Sequence, residues 1–324
     1  MQSEDLYRNA FDSYLEENLK IREPENLYKP MIYILKLGGK RIRPVLVLMA
    51  AEIFGGDYRK ALDAALAIEI FHNFSLVHDD IMDDAPLRRG EKTVHERWDI
   101  NTGILSGDAM LINAYRLFEN YEAETFRELA KLFSRTAIEV CEGQQYDIDF
   151  ESRENVRVDE YLQMIDYKTA VLVGASLQMG AIVANASKEN QEKIYQFGRL
   201  LGMAFQLQDD YLDAFGNPDT FGKQVGGDII ENKKTYLYLK ALETSGPKEA
   251  QQLEHLYSIN PGDVHAKVET IKSIFENSGS AAFVKREIED YTLRALQVLE
   301  SLEIAPKEKE MLKRFGLELM NREV

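Results

Sequence analysis

LVHDDIMDDAPLRRG, residues Leu76 to Gly90, ends a long apolar segment with four aspartates, Asp79, Asp80, Asp83 and Asp84, and Arg88 and Arg89 follow almost at once. If the segment is helical, the i, i+4 spacing puts Asp79 and Asp83 on one face, a turn apart. Carboxylates that close repel each other unless a cation lies between them. Hard oxygen ligands from a single helix face leave coordination positions open, which suits Mg2+ held jointly with substrate phosphates. The two arginines add planar, permanently charged forks for phosphate oxygens. Alone, such a run also reads as a solvated helix end. A second copy weighs against that: Asp209, Asp210 and Asp213 repeat the spacing in QLQDDYLDAFG, again after an apolar run.

Around these motifs the chain is rich in material for a core. Of 324 residues 45% are apolar, with 16 Tyr, 15 Phe and 10 Met, too hydrophobic for disorder. No Pro/Gly/Ser-rich linker divides it, so one large domain over residues 1–324 is expected. The balance of 39 basic against 55 acidic residues, net −16, argues against a nucleic-acid or anionic-membrane partner and makes any cluster of cations informative. Cys141 is the only cysteine, which excludes an intrachain disulfide and a zinc–thiolate cluster. The acidic, amphipathic start MQSEDLYRNAFDSYLEENLK is unlike a targeting peptide, and a cytoplasmic protein is expected. The longest weakly polar run, Thr169 to Ala186, contains Ser176, Gln178 and Asn185 and is rich in Gly and Ala. It reads as a tightly packed core helix, not an integral membrane segment.

Helical periodicity dominates and nothing alternates as a strand. No proline lies between Pro86 and Pro218, which leaves room for long uninterrupted helices. The pattern predicts helices over 4–20, 26–37, 43–54, 58–84, 100–121, 124–147, 158–185, 189–215, 234–244, 248–257, 264–277, 281–302 and 308–321. After the helix over 189–215, the stretch Gly216 to Lys234 is Gly-rich, charged and weakly periodic, and reads as a functional lid.

Cations gather around the acidic motifs. In GGKRIRP, Gly38 to Pro44, two glycines allow a tight turn before Lys40, Arg41 and Arg43 lead into an apolar helix, a pattern that serves as an anion site or as a simple cap. His72 lies two helical turns before Asp79 on roughly the same face and is placed to donate to a phosphate; a packed core histidine is the plainer reading. His78 beside Asp79 suggests a metal phosphohydrolase, but no second His/Asp pair completes one. Lys168-Thr169 interrupts an apolar helix, where a lysine must snorkel or find an anion. Gln206 precedes Asp209 by three residues, and Lys223 and Lys233 come after the second motif. This mixture wants a polyanion and a divalent metal.

Together, GGKRIRP, DDIMDDAPLRRG, Lys168-Thr169 and FQLQDDYLD followed by FGKQVGGDIIENKKT closely resemble the trans-isoprenyl diphosphate synthases, from about Lys36 to Thr235. The resemblance implies an all-α fold, a large single-domain antiparallel helical bundle around a deep central cavity, in a homodimer. It implies that the two aspartate motifs face each other and hold Mg2+, about three ions per active site. Asp79 and Asp83 resemble the metal ligands of the first motif and Asp209 that of the second, with Asp210 and Asp213 supporting. Arg88, Lys168, Lys223 and Lys233 look like contacts to the allylic diphosphate, with Lys168 also catalytic. Lys40, Arg43, His72 and Arg89 correspond to the isopentenyl diphosphate pocket, and Thr169 and Gln206 to the reacting centre. The implied activity is head-to-tail condensation of isopentenyl diphosphate with an allylic prenyl diphosphate. A silent partner subunit typically loses aspartates from one motif, and both are intact here. A class I terpene cyclase usually replaces the second DDxxD and lacks GGKRIRP.

The first motif is the short DDxxD form, DDIMD, so product length cannot be borrowed from relatives with an insertion there. The growing chain is expected to run down the helix below Asp79. Phe74 lies about 7.5 Å and Phe71 about 12 Å down the axis, and Ser75 sits one turn below on nearly the same face. Family chain-length control resembles this location, although aromatic residues at helical spacing usually only fill a core. A short product, geranylgeranyl or farnesyl diphosphate, is expected.

Overall fold

The computed structural model describes residues 2–217, 225–259, 261–262 and 264–320. It is α-helical throughout, apart from one two-stranded hairpin among the described residues. The chain divides into two compact units, Met1–Ser134 with Ala175–Glu192, and Arg135–Gly174 with Lys193–Val324.

In the first unit the helices are α1 (Gln2–Asn18), α2 (Glu25–Lys36), α3 (Ile42–Ile53), α4 (Leu62–Met82), α5 (Val94–Arg97) and α6 (Ile100–Leu117). The start of α7 (Ala123–Ser152) and most of α9 (Val171–Val183) complete it. The apolar run of α4 is buried over Ala64–Phe71 and again at Asn73, Phe74 and Val77. Its close fit to α6 depends on two residues without side chains. A Cβ on Gly103 would lie 2.8 Å from Ile81, and one on Gly107 would lie 2.2 Å from the His78 ring. Likewise α9 meets α3 at Gly180, where a Cβ would sit 2.1 Å from the Val47 carbonyl. This is the tight core helix expected for Thr169 to Ala186, and no helix among the described residues is long and apolar enough to cross a membrane.

The end of α4 is a Schellman motif. Asp84 takes a left-handed φ of 50°, and the Ala85 N–H reaches back to the Asp80 carbonyl at 2.9 Å. Asp is one of the few side chains that tolerates this conformation, and Pro86 then prevents continuation. The chain turns into β1 (Leu87–Arg88) and β2 (Glu91–Lys92), paired Leu87 with Lys92 and Arg88 with Glu91. Arg89 and Gly90 both have positive φ, 55° and 80°, as a two-residue hairpin turn requires. The sequence pattern gives no sign of this hairpin, because strands of two residues carry no period to detect.

The second unit contains the rest of α7, α8 (Val158–Ile165), α10 (Lys188–Phe215) from Lys193 onward, α11 (Gly227–Ile230), α12 (Tyr236–Thr244), α13 (Pro247–Tyr257), α14 (Val264–Asn277), α15 (Ser280–Glu300) and α16 (Pro306–Met320). Its core joins Tyr161, Leu207, Tyr211, Tyr236, Ile271 and Phe275. The continuous helix expected over 158–185 is corrected here. Residues Asp166–Ala170 form a π turn, with the Val171 N–H bonded to the Asp166 carbonyl five residues back. Two glycines make room for it: a Cβ on Gly143 would lie 2.3 Å from the Lys168 nitrogen, and one on Gly202 2.7 Å from the Ala170 Cα. Of the expected lid, residues 218–224 lie outside the described residues, and its remaining part forms α11 and a turn into α12.

Candidate active site

Each unit carries one acidic set, and each set sits at the C-terminal end of a helix. Asp79, Asp80 and Asp83 close α4, and Asp209, Asp210 and Asp213 lie in the last two turns of α10. Carboxylates at that end oppose the helix dipole at a cost of about 0.3–1 kcal/mol each, which favours a cation beside them.

In the first unit the four aspartates separate by exposure. Asp80 is 1% exposed, Asp79 is half-buried, and Asp83 and Asp84 are exposed. Asp80 has a committed partner: the hairpin turns Arg88 back onto it, with Nε at 2.8 and 2.9 Å from its two oxygens and Nη2 at 2.6 Å. Burial pushes its carboxyl up, and Arg88 opposes that. Asp79 and Asp83, the pair expected to hold the metal, lie one turn apart at the end of α4.

Beside them the glycine turn and the hairpin converge. Gly38 and Gly39 have φ of 79° and 132°, and Arg89 donates to the Gly38 carbonyl. A Cβ on Gly39 would lie 2.9 Å from the Arg89 guanidinium, and the φ of 132° itself calls for glycine there. Arg43 Nη1 lies 3.2 Å from His72 Nε2. Arginine is always the donor, so Nε2 accepts and the His72 proton belongs on Nδ1. Burial, reinforced by Arg43, Arg89, Arg88 and Arg41, holds His72 well below its ordinary range, so it is neutral. Burial also lowers Arg43 and Arg89. The Nε of Arg43 is buried with no hydrogen-bond partner among the described residues. A half-buried guanidinium with an unanswered N–H, with Arg89 and a neutral imidazole beside it, can take an anion. Lys40 is exposed at its edge.

Arg41, between Lys40 and Arg43, has a different task. It is 7% exposed, with φ of 51°, and its guanidinium is bound by Glu69 at 2.5 Å and the Leu35 carbonyl at 2.6 Å. Glu69 also accepts from Asn73 at 3.2 Å. This buried pair pins the glycine turn to α4, and nothing in the sequence singles it out.

In the second unit the Lys168 Nζ donates to Asp147 Oδ2 at 2.5 Å, the anionic partner that its setting demanded. Thr169 Oγ1 lies 3.1 Å from Gln206 Oε1, Gln206 Nε2 lies 3.0 Å from Asp210 Oδ1, and the Tyr161 hydroxyl donates to Asp210 Oδ2. Burial, with Asp228 and Asp209 nearby, raises the Asp210 carboxyl to about 8. Asp210 is thus the internal member of this motif, as Asp80 is of the other, and Asp209 is the analogue of Asp79. Asp213 accepts the Asp228 N–H at 2.9 Å and so caps α11. Lys233 pairs with Glu231 at 2.9 Å; burial opposes its charge, but Glu231, Asp228 and Asp147 together raise its pKa. Lys223 lies outside the described residues. Asp147 and Tyr161 escape a reading of the sequence, where one acid among several on α7 and one tyrosine of sixteen carry no signal.

Among the described residues no three Asp, Glu, His or Cys side chains converge into a ready-made metal cage. Aspartates on single helix faces suit an ion that keeps water and phosphate among its ligands, as Mg2+ does. Of the chain-length candidates, Ser75 bonds its own helix at His72 O, 2.8 Å. Phe71 is 1% exposed and packs edge-on against Phe133 at 5.0 Å, and Phe74 packs on His78 at 4.8 Å.

Comparison with known proteins finds relatives along nearly the whole chain. Residues 24–276 match the family model for Polyprenyl synthetase. The short chain isoprenyl diphosphate synthase of Methanothermobacter thermautotrophicus is 37% identical over 298 residues, covering 92% of this chain and 91% of that protein. The geranylgeranyl pyrophosphate synthase of Geoglobus acetivorans is 39% identical over 295 residues, covering 90% of each. A crystal structure of geranylgeranyl pyrophosphate synthase matches with a TM-score of 0.95 at 55% identity, covering 99% of each chain.

Proposed function

Because the chain belongs to the polyprenyl synthetase family, we propose that it condenses isopentenyl diphosphate with an allylic prenyl diphosphate, head to tail, and releases a short-chain trans-polyprenyl diphosphate, geranylgeranyl or farnesyl. The observation that carries this is the anion pocket of Arg43, His72, Arg89 and the Gly38-Gly39 turn beside the half-buried Asp79. The names of the relatives favour geranylgeranyl as the product.

In this reading Asp79 and Asp83 at the end of α4, and Asp209 near the end of α10, would be ligands of Mg2+, about three ions in all. Held there, Mg2+ would supply positive charge against the departing diphosphate. Arg88, Lys168, Lys223 and Lys233 hold the allylic diphosphate. Asp80 keeps Arg88 in one orientation, and Asp147 does the same for Lys168. Lys40, Arg43, His72 and Arg89 hold isopentenyl diphosphate; a neutral His72 donates from Nδ1 without adding another buried charge. Thr169 and Gln206 present fixed oxygens to the allylic cation, because Asp210 and Tyr161 lock the amide. The apolar side chains below Asp79 keep water from that cation. The double bond of isopentenyl diphosphate attacks it, a carbon–carbon bond forms, and the departed diphosphate takes the proton. A homodimer is supported by Ile104, Leu105 and Ile112, three large apolar side chains exposed along α6. The acidic, single-cysteine composition supports a cytoplasmic location.

The test is direct. Purified protein is incubated with Mg2+, labelled isopentenyl diphosphate and each allylic starter in turn, and the products are sized. Four-unit or three-unit chains are expected. No elongation from any starter would overturn the assignment.

A further inference from the structure

A cavity of about 260 Å³ opens in the first unit, lined by α1, α2, α4, α6 and the segments just after α1 and α6. Its floor is apolar and buried, with Met31 and Leu35 from α2 and Leu66 and Ile70 from α4. Its rim is exposed and carries three cations, Lys20, Arg22 and Arg116, against one carboxylate, Glu119. In a chain of net charge −16 this is a local inversion of sign. Among the described residues no ion pair joins any of the three to a carboxylate.

Helix geometry separates this cavity from the aspartates. Ile70 and Leu66 precede Asp79 by nine and thirteen residues. At about 100° per residue they face about 180° and 220° away from it, and at 1.5 Å per residue they lie about 13 to 20 Å down the axis. The cavity therefore opens on the back of α4, remote from its metal-binding end.

A dry floor takes hydrocarbon, and a rim of guanidinium and ammonium groups takes a multiply charged oxyanion. A ligand that uses both must carry a short tail and a dense negative head on one molecule. A cavity of about 260 Å³ has room for a short hydrocarbon tail. We propose that it is a second site for a short prenyl diphosphate, bound without metal, its tail over Leu66 and Ile70 and its head among Lys20, Arg22 and Arg116. The choice of ligand rests on the proposed function, since that activity puts prenyl diphosphates in the solution around this surface.

Metal dependence separates the two sites. Full-length protein is titrated calorimetrically with geranyl S-thiolodiphosphate, which resists ionisation, in Mg2+ and then in excess EDTA. With saturating isopentenyl diphosphate present throughout to fill the Arg43–His72–Arg89 pocket, two sites per chain are expected with Mg2+, and one should survive EDTA. Arg22→Glu combined with Arg116→Glu should weaken the surviving site by at least about tenfold while initial turnover stays within about twofold, which also shows that the variant folds. Arg22→Lys with Arg116→Lys should retain the site. Geraniol alone and inorganic diphosphate alone should each bind at least about tenfold more weakly. Loss of all binding in EDTA by an enzyme that still elongates allylic diphosphates would overturn the second site alone. So would an EDTA-resistant site untouched by charge reversal, or one filled equally well by either half-ligand. Failure to elongate any starter, with the EDTA-resistant site present, would instead overturn the proposed function.

Discussion

Glu69→Gln tests whether the glycine turn is held by a buried charge pair. The substitution keeps the size of the side chain and an oxygen acceptor, but leaves Arg41 as a cation 7% exposed without its full counter-charge. Removing one partner of a buried pair costs roughly 3–5 kcal/mol. Two contacts survive here, the Leu35 carbonyl at 2.6 Å and Asp12 at 3.6 Å on the outer side, so the lower end, about 3 kcal/mol, is expected. Melting entropy of about 2.1 cal/mol/K per residue then converts this to a fall in Tm of about 4 °C if all 324 residues unfold together, or about 10 °C if only the first unit does. Because Arg41 lies between Lys40 and Arg43, the KM for isopentenyl diphosphate should rise several-fold well below the Tm, with kcat little changed. Scanning calorimetry and steady-state kinetics on the same preparation read both. Replacing the pair together, Arg41→Met with Glu69→Met, should recover most of the stability. A Tm within about 1 °C of the parent for Glu69→Gln, with KM unchanged, would refute the reasoning.

Asp79→Asn, Asp83→Asn and Asp209→Asn should each lower turnover by orders of magnitude, about a thousandfold, at unchanged far-ultraviolet circular dichroism, since each removes a metal charge partner that acts in the transition state. Near-normal turnover in all three would remove the metal assignment. Arg89→Gln and Lys40→Gln should chiefly raise the KM for isopentenyl diphosphate; a rise in the allylic KM alone would mean that the two pockets are reversed. Phe74→Ala should lengthen the product, read by chromatography of the dephosphorylated chains. Adding Phe71→Ala should lengthen it further, but at a stability cost of about 3–5 kcal/mol because Phe71 is enclosed by aromatic rings. Unchanged product length in both active variants would put the floor on other helices. His72 has a lowered pKa in the folded protein, so below about pH 6.5 the unfolded chain binds the extra proton and stability falls with acidification. His72→Gln should flatten the Tm profile between about pH 7 and 5; an identical slope in parent and variant would count against a buried neutral imidazole.

Most long helices were legible from apolar periodicity, because each buries a face and prolines and glycines separate many of them, but the break between α8 and α9 has neither residue to mark it. The convergence of Gly38-Gly39, Arg43, His72 and Arg89 was legible only as a resemblance, since contacts across some fifty positions leave no local trace. The internal aspartates show the limit most plainly. Nothing in DDIMDD says that Asp80 is buried on Arg88 while Asp79 and Asp83 are not; the hairpin decides it, and two-residue strands have no period. Phe71 was placed correctly along the helix, but its ring partner Phe133 lies 62 positions away in sequence. Tyr161 and Asp147 became visible only when the π turn set their neighbours.

That turn fixes the register of everything before it. Asp166–Ala170 holds one residue more than an α-helical turn would, so α8 is rotated about 100° from where an unbroken helix would carry it. Deleting one residue from this segment would restore regular hydrogen bonding and leave the backbone ladder intact. It would also swing Tyr161 off Asp210 and withdraw Lys168 from Asp147, while Gly143 and Gly202 faced empty space. The chain can therefore lose an amino acid here, gain a better helix, and give up the two contacts that set Lys168 and Gln206 in place.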